Sequence, residues 1–108
     1  MKKPKTVKEA IRMVKEDLLK EKEVYELAVS DPEVFAIRMH HTYGRWIRNE
    51  CGLWGGGELC NELIKLGIHH PDEMSGYILR RAATELKGEQ VSKWLLESIK
   101  ESHEEGKG

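Results

Sequence analysis

The chain reads as an all-α protein, an irregular orthogonal bundle of five or six short helices, on three observations. No stretch shows the two-residue alternation or the β-branched clustering of a strand. Apolar residues recur instead at helical spacing, three and four residues apart. Capping residues and prolines mark helix starts, and glycines at 52, 67 and 88 mark stops. A regular four-helix bundle would need fewer and longer helices. The 108 residues suit one small domain, 1–108, with an ordered core over about 6–102.

The first helix is announced by Thr6-Val-Lys-Glu9, a capping-box pattern, after which Val7, Ile11, Val14 and Leu18 share a face. The polar run 20–23 predicts a bend or break before Val24, Leu27 and Ala28. Ser30-Asp31-Pro32-Glu33 then combines cap, first-turn proline and first-turn acid, and predicts a central helix from Pro32 to Glu50. Gly52 ends it, and Leu53-Trp54 packs the exit before the glycines at 55–57. Glu58 to Leu66 forms a short helix with Leu59, Leu63 and Leu66 on one side. His70-Pro71-Asp72-Glu73 starts another, with Met74, Tyr77, Ile78 and Ala82 inward and Gly88 as its end. A last helix over 89–102 carries Val91, Trp94, Leu95, Leu96 and Ile99, and the tail from His103 frays. Trp46, Trp54 and Trp94, with Phe35, Tyr43 and Tyr77, supply enough aromatic mass for the core of so small a domain.

Composition narrows the function classes. Net charge is −1, from 18 basic against 19 acidic residues, whereas general nucleic-acid binders carry a basic excess. No apolar run approaches the roughly 20 residues of a membrane helix, and the basic N-terminus is not followed by the apolar block of a signal peptide. A cytoplasmic protein without membrane attachment is therefore expected. Cys51 and Cys60 flank the glycine-rich loop and are expected as thiols in a reducing compartment.

The central helix carries the most distinctive pattern. At roughly 100° per residue, Arg38, His41, Arg45 and Arg48 fall in one narrow sector, flanked by Thr42 and Asn49. Ala36, Met39, His40, Tyr43, Trp46 and Ile47 fall on the other side. An exposed stripe of three arginines suits carboxylate or phosphate, because the guanidinium is a planar two-pronged donor. The competing reading is a solvated face whose arginines pair with Glu33, Asp72 or Glu73, contacts each contributing roughly 0–1 kcal/mol.

Residues 44–54, Gly-Arg-Trp-Ile-Arg-Asn-Glu-Cys-Gly-Leu-Trp, and 66–75, Leu-Gly-Ile-His-His-Pro-Asp-Glu-Met-Ser, carry a further signal. Together they resemble a family of short bacterial and phage proteins catalogued as a domain of unknown function, with a W-[IL]-R-N-x-x-G-L-W block and a later H-P-D-[DE]-x-S block. The likeness covers about residues 40–86. It implies a shared fold and a shared site and supplies no activity.

The function expected is that of a small non-catalytic binding or regulatory module. Its surface comprises Arg38, His41, Arg45, Arg48 and Asn49, with Trp54 and the turn containing His69, His70 and Asp72 beside it. The expected partner is an acidic protein surface or a small anionic ligand such as a nucleotide, and an inhibitor of a host or defence complex is one concrete form. No cofactor, no metal and no catalytic residue is assigned: the His69-His70 spacing fits no zinc pattern and reads as helix capping. Two alternatives stay open. A small hydrolase would use His69 or His70 as general base beside Asp72, Arg48 and Asn49. A structural subunit of a homo-oligomer would need no site at all.

Overall fold

The computed structural model describes residues 3–105, with side chains described through Gln90 and at Lys93. Six helices follow in order: α1 (Val7–Leu18), α2 (Lys22–Ser30), α3 (Pro32–Arg38), α4 (Tyr43–Glu50), α5 (Glu58–Lys65) and α6 (Pro71–Glu105). No strand occurs among the described residues, and no helix there is long and apolar enough to cross a membrane.

The local signals act as their chemistry requires. Thr6 Oγ1 accepts the Glu9 backbone N–H at 3.1 Å, but the Glu9 carboxylate takes the Lys5 N–H rather than that of Thr6, so the box closes on one side only. Asp31 accepts the Val34 N–H at 3.1 Å, with Pro32 in the first helical position. Gly52 and Gly67 adopt φ of 65° and 90°, a region that excludes most side chains. Each lets the next residue's N–H reach back to the helix it closes, Leu53 to the Arg48 carbonyl and Ile68 to that of Leu63, both at 3.0 Å.

α6 is the spine of the domain and packs against α1, α2, α3 and α4. Its inward face, Met74, Ile78, Leu79, Ala82, Ala83 and Leu86, meets Val14 and Leu18 of α1, Phe35 of α3 and Ile47 of α4 in one buried cluster. Apart from the alanines, which contribute less, side chains so buried each contribute roughly 1.5–3 kcal/mol of transfer free energy.

Two expectations fail. The helix predicted over Pro32 to Glu50 is two helices separated by turns at residues 39–42. Thr42 precedes α4 without giving it a side-chain cap, Gly44 is a weak helix former, and the Met39 carbonyl accepts the N–H groups of both Thr42 and Gly44. A four-residue interruption leaves the apolar periodicity on either side almost in phase, so counting residues does not detect it.

Gly88, conversely, ends nothing, and the two helices expected over residues 71–102 are one helix of 35 residues reaching Glu105. A glycine in a helix interior costs about 1 kcal/mol and does not force a stop. Lys15 of α1 spans the position by pairing with Glu85 at 3.3 Å and with Glu89, and the Glu89 hydrogen bond holds its ammonium above the usual lysine value. The expected core roles of Val91, Trp94, Leu95, Leu96 and Ile99 lie outside the described side chains. Two smaller corrections concern Leu66 and Trp54, which are exposed; Leu53 alone packs the exit of α4.

Candidate functional site

Arg48 decides the architecture of the region. It was expected on an exposed stripe, yet only 6% of it is accessible. Every nitrogen of its guanidinium group has work: Nη1 donates to Ser75 Oγ at 2.8 Å, Nη2 to the His40 carbonyl at 3.1 Å, and Nε faces Asp72 Oδ1 at 3.5 Å. The break between α3 and α4 thus has a consequence. It frees the His40 carbonyl from helical bonding and turns it toward the arginine, so one side chain ties the interhelical turn to the start of α6.

Two further residues complete this anchor. Ser75 is fully buried, accepts from Arg48 and donates its own hydroxyl to the Asp72 carbonyl at 3.0 Å. Gly44, one helical turn before Arg48, leaves the space the guanidinium needs: a Cβ there would lie 3.2 Å from Arg48 Nη1 and 3.3 Å from the Met39 carbonyl oxygen. Both residues stand inside the sequence blocks at helical spacing from Asp72 and Arg48, and that spacing was the signal available for finding them.

At the start of α6, His70 Nδ1 accepts the Asp72 backbone N–H at 3.0 Å. The His70 carbonyl accepts the Met74 N–H, the first bond of the helix. His70 is therefore the helix cap. Its Nδ1 also lies 3.7 Å from Asp72 Oδ2, but a nitrogen that accepts an N–H carries no proton there, so this approach is not an ion pair in the capped state. The other face of the imidazole meets Trp54 edge-to-face, with ring centroids 6.1 Å apart.

Above Arg48 opens a cavity of about 510 Å³ lined by His41, Arg45, Arg48, Asn49, Trp54 and Asp72. α4 gives Arg45, Arg48 and Asn49, the preceding turn gives His41, the loop after Gly52 gives Trp54, and α6 gives Asp72. Six of the nine residues singled out in the sequence thus share one wall. His70 adjoins it through Trp54. Arg38 and His69 are exposed and do not line it. Arg38 leaves the stripe because it ends α3, on the far side of the interruption.

The two cationic side chains of the cavity differ in kind. Each nitrogen of Arg48 has a protein partner, whereas among the described residues Arg45 makes no ion pair and no side-chain hydrogen bond and is exposed. A family model matches the chain over residues 3–86.

The chain belongs to the family described as Domain of unknown function (DUF6794). The DUF6794 match begins before α1 and ends at Leu86, the last core residue of α6 among the described side chains. It therefore contains the whole cavity. No curated protein and no solved structure matches the chain significantly.

Other reactive groups of this DUF6794 domain are held in quiet settings. Burial pushes the Cys51 thiol up to about 11, so it is protonated near neutral pH and a poor nucleophile. Cys60 is buried against the Leu53 carbonyl and Met74 Sδ, both at 3.9 Å, and neither cysteine is bridged. Burial, reinforced by a hydrogen bond to Asp17 at 2.8 Å, holds the Tyr43 hydroxyl far above the usual tyrosine range. Among the described residues no group of three His, Cys, Asp or Glu side chains is arranged to hold a metal ion.

Proposed function

We propose that this DUF6794 protein is a non-catalytic binding module whose cavity over α4 receives a single carboxylate from an acidic partner protein. The observation that carries this reading is the contrast within the cavity: Arg48 is consumed by the fold, while Arg45 faces the same space with no acid of its own. Its planar fork suits a carboxylate, and Asn49 and His41 add neutral hydrogen-bonding capacity.

Charge arithmetic favours one carboxylate over a polyphosphate. The wall holds two guanidinium groups and the carboxylate of Asp72, which Arg48 already faces. One positive charge remains, and a triphosphate would set its excess charge against Asp72. In the bacterial or phage setting that the sequence resemblance suggests, an inhibitor of a host or defence complex is one concrete form of such a binder.

The test is a titration of isotopically labelled protein with acetate, inorganic phosphate, AMP and ATP at fixed ionic strength, followed at the Trp54 indole N–H and the His41 and Asn49 amides. Acetate is expected to give a saturable shift that weakens as salt is raised, and ATP no tighter response than AMP. Absence of any saturable shift at these positions would overturn the reading.

A further inference from the structure

A second hollow, of about 610 Å³, lies between α3 and the first turns of α6 and shares His41 and Asp72 with the anion cavity. Its chemistry is different. Ile37, Ile68 and Tyr77 line it, and Ile37 is 71% accessible, the most exposed of the domain's large apolar side chains among the described residues. From α6 it takes Asp72, Gly76 and Arg80, which recur every fourth residue and so lie on one face. The hollow therefore extends along the helix from the anion cavity for about 12 Å.

Gly76 is not explained by the fold. It sits inside α6, where glycine weakens a helix relative to alanine, yet a Cβ built there meets nothing within 4 Å. Gly44 makes room for Arg48; Gly76 makes room for no described residue of this chain. It keeps the floor of the hollow open beside Ile37, Ile68 and Tyr77.

We infer that the two hollows form one bipartite groove for an extended acidic–apolar segment of a partner protein, its carboxylate at Arg45 and a neighbouring aliphatic side chain over Gly76. The inference rests on the carboxylate reading of the first cavity. Charge complementarity selects the occupant: the cationic end needs an acid, while on the apolar end Arg80 is already paired with Glu33 at 2.7 Å and Glu73 repels a second acid. Asp72 lines both hollows and marks their border, and Gly76 lies one helical turn, about 6 Å, beyond it. Two residues of extended chain span about the same distance, and residues two apart point the same way. The preferred segment therefore carries its acid and its aliphatic residue two positions apart.

The probe is the capped peptide Gly-Ser-Glu-Ser-Leu-Ser-Gly, compared with versions in which leucine is replaced by serine or glutamate by glutamine, and titrated into labelled full-length protein. The parent peptide is expected to bind about tenfold more tightly than the serine version, since burial of an aliphatic side chain supplies that much, and the glutamine version to bind at least as poorly. Gly76→Leu, whose side chain enters open space, should keep or raise the melting temperature, keep the acetate response and erase the advantage of leucine over serine. Gly76→Ala should narrow that advantage and serves if the leucine variant fails to fold. Equal affinity for the leucine and serine peptides with an intact acetate response would overturn the groove and leave the carboxylate reading standing. Loss of the acetate response in the native protein would instead overturn both. Concentration-dependent self-association that shifts Ile37 and Gly76 without peptide would assign the hollow to a second copy of the chain and overturn the inference.

Discussion

The root and the mouth of the cavity over α4 are built from the same residue type and serve opposite ends. At the root, Arg48 is buried and divided among Ser75, the His40 carbonyl and Asp72. At the mouth, one turn earlier on the same helix, Arg45 stands exposed beside Asn49 and Trp54. A guanidinium whose three nitrogens are each held inside the protein fixes geometry; one with its donors facing a cavity can exchange them for a ligand's acceptors. The difference teaches that an arginine pattern in sequence is a mixture, and that burial sorts it.

The comparison breaks most visibly at its root. Arg48→Met removes the side chain whose polar contacts join the interhelical turn to α6 and leaves the His40 carbonyl and Asp72 without their partner. A loss of about 3 kcal/mol is expected, seen as a drop of roughly 10 °C or more in the melting temperature. A variant that melts within a degree or two of the parent would show the anchor to be dispensable.

Ser75→Ala is the next largest change. It strands one Arg48 nitrogen in a buried setting and should cost about 1–2 kcal/mol by chemical denaturation, with the anion response weakened but present. Gly44→Ala comes third. Its methyl group must displace either the guanidinium or the Met39 carbonyl, and overpacking against the gain in helix propensity leaves a net cost of about 1 kcal/mol. Combining it with Arg48→Met should recover part of that cost, because the obstacle is then a flexible thioether; strict additivity in the double mutant would contradict the steric account.

How far the sequence reveals this division depends on what each signal measures. Helix starts at Thr6, Asp31 and His70 and stops at Gly52 and Gly67 are local chemistry, and all appear in the structure at those positions. The interruption at residues 39–42 is held by a tertiary partner, the Arg48 guanidinium on the His40 carbonyl, and leaves the helical periodicity nearly unchanged, so Arg38 reads as part of a stripe it does not join. Gly88 shows the reverse: a local stop signal is overridden by Lys15, which pairs on both sides of it from another helix. The cavity residues cluster in sequence because α4 and the loop after it are contiguous, and His70 and Asp72 reach them only through the packing of α6 on α4. Nothing in the pattern separates Arg45 from Arg48, since both satisfy the same 3.6-residue period and differ only in what surrounds them.

The division between root and mouth is tested most directly by Arg45→Gln, measured once for stability and once for acetate binding in the same sample. The exposed side chain makes no described contact that stability requires, so the melting temperature should stay within about 3 °C of the parent. The saturable acetate shift at the Trp54 indole should disappear. A full acetate response in Arg45→Gln, or a melting temperature lowered as far as that of Arg48→Met, would contradict the division between a structural root and a binding mouth.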